Sequence, residues 1–277
     1  MTPQAWPLSE WGGWIALIAA LLIFYGRAAW RGRWPIWRAL VFAMGCAATL
    51  AAAWGLNNPL ASMTGYTVAL MTMEQIVSPL LLIGYPPAAR AAWHTPPHRW
   101  WSAWLLDPWV AAAVFVLLTL GVNLPGVFNS ALANALYSGP ISLLLLAGGW
   151  MFWAQLMTGS TGLGARWVAG IYGWLGSLPM MIIAAVWVWS GHVLYTPYLN
   201  VLCLWNLGPL DDQHYAGLVM FVAGLPLQLR AAWLLIMPDE LQDPRPHRYD
   251  AYCAAPPQAR DLLSQTLVFQ HTPKDFP

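Results

Sequence analysis

The stretch Arg27-Ala28-Ala29-Trp30-Arg31-Gly32-Arg33-Trp34-Pro35-Ile36-Trp37-Arg38 places four arginines and three tryptophans between two long apolar runs. It reads as a tight turn at a membrane surface, because loops rich in Lys and Arg stay cytoplasmic and Trp collects at headgroup level. Working outward, the remaining basic residues fall on the same side of a helical bundle. Arg90 and Arg99 lie in the third interhelical loop, Arg166 in the fifth, and Arg230, Arg245, Arg248, Arg260 and Lys274 at or beyond the end of the last apolar run. The expected orientation is therefore amino terminus outside, carboxyl terminus cytoplasmic.

With 59% hydrophobic and 8% charged residues, the chain is far from a soluble domain, which carries about 25% charged residues. The net charge of +1 gives no basic surface for nucleic acid, which needs clustered Lys and Arg. Lipid is the surrounding partner that this composition expects. The 20 Trp form expected aromatic belts: Trp11 and Trp14 outside, then Trp30, Trp34, Trp37, Trp93, Trp100, Trp101 and Trp104 inside. The first apolar run reads as a retained helix, since Met1 to Trp11 lack a positive leader segment. Cys46, Cys203 and Cys253 fall at three different levels, so no disulfide is expected.

A membrane helix needs about 20 apolar residues, and seven such runs are predicted near 12–30, 36–56, 63–84, 104–122, 136–157, 167–190 and 213–237. The fold class is all-α, a seven-transmembrane-helix bundle over residues 1–237. Clusters such as Asn57-Asn58-Pro59 and Asn123-Leu124-Pro125-Gly126 mark the breaks. Residues 238–277 form a polar, Pro-rich cytoplasmic tail too short for its own core. Pro79, Pro140, Pro179 and Pro226 fall inside helices, as membrane helices tolerate.

Glu74 is the one carboxylate expected near mid-membrane, where a charged side chain costs roughly 2.5 to 3.5 kcal/mol on insertion scales. Met71 stands three residues earlier, on the same face of a regular helix. The functional reading is a proton-handling or metal-facing site of Met71, Met73 and Glu74; the structural one is a neutral acid bonded to a neighbouring helix. At the outer rim, His192, Cys203, Asp211, Asp212 and His214 offer imidazole, thiol and carboxylate, ligands suited to copper or zinc. None stands at a recognised metal-ligand interval, and Asp211 or Asp212 is equally suited to capping the last helix. Met71, Glu74, His192 and His214 are the candidate metal residues. His94 and His98 read as interfacial side chains.

Three stretches together resemble the polytopic CtaG family of cytochrome c oxidase assembly factors. They are Ser78-Pro79-Leu80-Leu81-Leu82-Ile83-Gly84-Tyr85-Pro86; Asn123-Leu124-Pro125-Gly126-Val127-Phe128 with Gly149-Trp150-Met151-Phe152-Trp153; and Asp212-Gln213-His214-Tyr215-Ala216-Gly217-Leu218-Val219-Met220. The motif positions are Pro79, Gly84, Pro86, Asp212, Gln213 and Gly217. The resemblance covers about residues 10–237. It implies a bacterial inner-membrane protein that matures a haem-copper oxidase, with oxidase subunits as partners and copper as the implied cofactor.

One departure is marked: the histidines typical of the family on the third and fifth helices are absent, with Tyr66, Leu70 and Ser142 at those levels. Copper is then held elsewhere, or the scaffold persists without it. The alternative reading is a permanent, metal-free accessory subunit of a respiratory oxidase. A proton-coupled transporter is disfavoured by the lack of inverted repeats. The chain has no zinc-protease, nucleophile-elbow or phosphate-loop motif, so no enzyme is expected.

Overall fold

Helix is the only regular structure in the residues that the computed structural model describes: 8–86, 107–133, 135–158, 166–199 and 207–236. Lipid supplies no hydrogen bonds, so a spanning segment must satisfy its backbone internally. In chain order the helices are α1 Leu8–Gly32, α2 Ile36–Leu56, α3 Met63–Gly84, α4 Pro108–Val122, α5 Pro125–Ala133, α6 Ala135–Thr158, α7 Arg166–Trp189 and α8 Pro209–Ile236. Six are long and apolar enough to cross a membrane, and α4 with α5, bent by 65° at their junction, makes a seventh if the pair is one span.

Two differences from the sequence reading stand out. The Asn123–Gly126 segment was expected to be loop up to residue 136, yet α5 begins at Pro125, whose fixed φ suits a first helical turn. The last helix starts at Pro209 rather than at 213, for the same reason. The predicted loop bearing Arg90, Arg99, His94, His98 and its tryptophans lies outside the described residues, as do Cys203, the tail 238–277 and Cys253.

Within the Arg27–Arg38 segment the turn is confined to Arg33–Pro35, between α1 and α2. Arg33 adopts φ 48°, and the Trp34 amide donates back to Ala29 O at 3.0 Å, a left-handed helix stop of the kind that reclaims end carbonyls. Trp34 then packs against Tyr25 and Tyr85, with ring centroids 5.3 and 5.5 Å away, while Tyr25 stacks on Phe42 at 3.9 Å. Trp30 is 87% exposed and Trp37 48%, as the aromatic belt requires. Trp14, expected in the outer belt, is instead buried in the core.

Helix α3 lies at the centre of the packing and is not regular. Residues Thr72–Val77 form a π turn, immediately before Pro79, which has no amide to bond Gln75 O. Ser78 Oγ lies 3.2 Å from Met73 O and 3.1 Å from Leu146 O, tying the widened turn to α6. Gly149 of α6 is required there: a Cβ would stand 2.6 Å from Glu74 O and 2.7 Å from Ser78 Oγ. Gly84 does the same against α2, where a Cβ would meet Phe42 Cβ at 2.8 Å and its Cα at 3.2 Å. Both are close backbone approaches of the small-residue type.

Both ends of α3 are held by other helices. Arg38 of α2 donates through Nη1 to Ile83 O and Tyr85 O, each at 3.0 Å, and Tyr25 of α1 donates to Gly84 O at 3.0 Å. A cation at a helix carboxyl end is stabilised by the helix dipole.

Gly149→Ala is expected to destabilise the bundle by about 1–3 kcal/mol, the usual range for overpacking, because backbone blocks the new methyl. At neighbouring Gly148 the one close approach of a Cβ is to the flexible Leu118 Cδ1, at 2.9 Å, with Phe115 Cα at an ordinary 3.9 Å, so Gly148→Ala is expected to be far milder. Thermal denaturation of the two purified variants in detergent checks this contrast; equal losses would contradict it.

Candidate functional site

Asp212 is fully buried, inside the first turns of α8, and its carboxylate reaches across to the start of α3. Oδ1 accepts from Ser62 Oγ at 2.8 Å and from the Thr64 amide at 3.2 Å; Oδ2 accepts from the Met63 amide at 2.6 Å. Thr64 Oγ1 returns a bond to Asp212 O at 2.9 Å, and Ser62 Oγ accepts from the Gly65 amide at 3.1 Å. The carboxylate thus satisfies free amides at a helix amino end, where a negative group is favoured. Capping of the last helix, expected of Asp211 or Asp212, is not what Asp212 does: it caps α3, because a start at Pro209 carries it past its own helix end. Asp211 is exposed.

Gln213, also fully buried, clamps the segment after α7. Its Oε1 accepts from the Leu194 amide at 2.8 Å, and Nε2 donates to Trp187 O at 3.4 Å and His192 O at 3.3 Å. His214 Nε2 lies 3.1 Å from Ser190 O, so the ring takes the tautomer with its proton on Nε2. His192 is exposed, and its carbonyl also accepts from Ser190 Oγ at 2.7 Å. At Gly217 a Cβ would come within 2.7 Å of Val188 Cγ2 and 3.1 Å of Ala184 O. Met220 completes the stretch in the core.

The segment beyond α7 also closes over the core. Tyr195 donates to Asn123 O at 2.8 Å and accepts from Trp187 Nε1 at 3.0 Å. Burial pushes its phenol up to about 12, so it remains a donor. Tyr198 donates to Pro59 O at 2.5 Å.

Glu74 lies in the π turn, fully buried. Its Oε1 is 2.7 Å from Thr119 Oγ1, which is itself 2.8 Å from Phe115 O. A hydroxyl has one proton, so both contacts are satisfied when Thr119 donates to Phe115 O and receives the proton of a neutral Glu74. Among the described residues Oε2 has no partner.

Met71 does not share this environment. It lines a lateral cavity of about 800 Å³ between α3 and α8, with Thr64, Gln75, Tyr215, Val222 and Pro226. Glu74 turns instead to α4, because the π turn breaks the three-residue register that would have aligned the two.

The four candidate metal residues therefore fall at two levels. His192 and His214 sit by the Asp212 end of α3, whereas Met71 and Glu74 lie roughly 12 and 16 Å farther along its axis at about 1.5 Å per residue. No group of three or more His, Cys, Asp or Glu converges among the described residues. Tyr66 and Leu70 are buried, Tyr66 edge-on to Phe128 at 5.5 Å, and Ser142 bonds Gly139 O at 2.7 Å. Among the described residues the candidate ligands do not come together as a copper centre.

The motif positions, by contrast, cluster at contacts. Gly84 seats α2, Asp212 caps α3, and Gln213 and Gly217 hold α7. Pro79 follows the π turn, and Pro86 lies two residues beyond the end of α3. Sequence reasoning missed Ser62, Thr119 and Arg38 as partners, since each acts on a residue far away in the chain. Ser62 alone carried a signal, as an N-cap residue type before an apolar run.

Comparison with curated proteins and with solved structures finds no match. A family model does match, that of the cytochrome c oxidase caa3 assembly factors, over residues 19–238, from within α1 to just past α8. That range holds every latch described above, and the chain belongs to the cytochrome c oxidase caa3 assembly factor family.

Proposed function

We propose that this protein is a non-enzymatic factor of the bacterial plasma membrane that orders oxidase subunits during assembly, rather than one that passes copper through its own ligands. The family supports the first half of the reading. The separation of Met71 and Glu74 from His192 and His214 supports the second. The amino terminus lies outside and the tail inside, with α4 and α5 together as the seventh span, as the distribution of Lys and Arg favours.

The surface this reading assigns to an oxidase transmembrane segment is the groove between α3 and α8. It runs from Thr64 to Ile76 on one wall and from Tyr215 to Pro226 on the other, about 18 Å of helix. Asp212 fixes the upper end of both walls and so the spacing between them. A permanent accessory subunit would use the same groove and would co-purify stoichiometrically with mature oxidase.

Three outcomes are expected. Val222→Trp, which fills the groove from a residue 61% exposed, should lower the yield of active oxidase while the factor itself accumulates normally; full oxidase activity in that strain would remove the groove from the reading. Asp212→Ala leaves the Met63 and Thr64 amides unpaired and should cost about 3 kcal/mol, seen as a lowered denaturation temperature together with reduced oxidase. A reporter fused after Pro277 should be active only in the cytoplasm, and a periplasmic signal would reverse the orientation.

A further inference from the structure

Covered side-chain oxygens with no hydrogen-bond partner among the described residues are unevenly placed around Glu74. Apart from Glu74 Oε2 and the neighbouring Gln75 Oε1, they belong to Asn58, Tyr66, Thr67, Asn123 and Asn129. These last five residues lie toward the Asp212 end. Thr67 is seven residues before Glu74 on α3, about 10 Å along the axis. Asn123 ends α4 one turn beyond Thr119, and its Nδ2 donates to Thr119 O at 2.7 Å. Asn58 follows α2 and Asn129 lies on α5, both at that same end.

Toward the Arg38 end the described interior is mostly apolar, and its buried hydroxyls on Ser78 and Tyr172 are hydrogen-bonded. Val77, Leu82, Phe115 and Phe152 are all fully buried there, and Phe115 stacks on Phe152 at 4.3 Å. Beyond the Gln75 amide, level with Glu74, the covered atom without a partner on that side is Trp153 Nε1. Water enters a protein interior where several polar groups can hold it and leaves apolar cavities dry. An intramembrane ionisable residue is, by default, a candidate for a proton or ion path.

No charge on the neighbouring helices offers Glu74 a counter-ion. Helices α4, α5 and α6 carry no Asp, Glu, Lys, Arg or His. On α2 the titratable groups are Cys46, buried, and Arg38, whose Nη1 is bonded to the carbonyls that end α3. On α3 itself there is only Tyr66, and on α6 the exposed Tyr137. The carboxyl of Glu74 thus faces the Thr119 hydroxyl and the Gln75 amide and no charged group.

We propose that Glu74 is a proton-exchange site open to water from the Asp212 end of the bundle and closed from the Arg38 end. In the exchange the carboxyl O–H bond breaks toward a water molecule on the Thr67 and Asn123 side. A proton from that water restores the acid, so no net charge stays in the core. This stands apart from the assembly role and does not depend on it.

Infrared spectroscopy of the full-length protein in lipid nanodiscs tests it. The Glu74 signal is the neutral carboxyl C=O stretch lost in Glu74→Gln. On transfer from H2O to D2O it is expected to shift at once in the wild type, several-fold more slowly in Thr67→Val, and at the wild-type rate in Trp153→Phe. Should Glu74→Gln not fold, Thr119→Val identifies the same band, which moves up in frequency when its hydrogen bond is removed. The proposal is overturned if no neutral carboxyl band responds to either substitution, if the band resists D2O as long as the α3 backbone amides do, or if Trp153→Phe slows the exchange and Thr67→Val does not.

Discussion

The rest of the bundle depends on the capping of α3 at both ends by opposite charges from different helices. Asp212 supplies the anion at the amino end and Arg38 the cation at the carboxyl end, the arrangement the helix dipole favours. Each contact also satisfies backbone groups that lipid could not. Because one charge comes from α8 and the other from α2, fixing α3 fixes both. The glycine approaches at Gly84 and Gly149 then bring α2 and α6 to backbone contact with it.

Seen this way, the stretch Asp212-Gln213-x-x-x-Gly217-x-x-Met220 is a set of four interhelical contacts on one helix. Asp212 and Gln213 point to different partners because adjacent helical residues are about 100° apart, so one turn of α8 holds the start of α3 and the segment after α7 together. Gly217, one turn later, lets α8 lie against Ala184 and Val188 of α7. The family resemblance and the fold thus rest on the same atoms. This chain makes these contacts with Tyr66 and Leu70 buried in the interior.

The helices were legible because apolar length and the Arg27–Arg38 turn are local signals. The bounds of α2 and α3 coincide with expectation for that reason. What the sequence did not reveal were long-range satisfactions. Nothing local marks Asp212 as a cap for a helix that begins 149 residues earlier, and an aspartate near a helix start reads most simply as a cap for its own helix. The π turn was likewise half visible: Pro79 announces a missing bond, but only the contacts of Ser78 with Met73 O and Leu146 O decide that the helix widens rather than kinks. That widening separated Met71 from Glu74 and dissolved the pairing that regular helical spacing implied.

The π turn also separates what the fold requires from what it does not. Pro79 in a helix interior costs about 3 kcal/mol, and the turn recovers part of this through Ser78 and through the close seat of Gly149 against Glu74 O. All of these contacts use backbone or Ser78, and none uses the Glu74 carboxyl. An apolar side chain would fill the position without the desolvation that a buried carboxyl carries. Asp212 and Arg38 hold helix ends, whereas Glu74 caps nothing and pairs with no cation. Its contact with another helix is the 2.7 Å bond to Thr119, and an intramembrane carboxyl held by a hydroxyl and no counter-charge is a candidate for the movement of its proton.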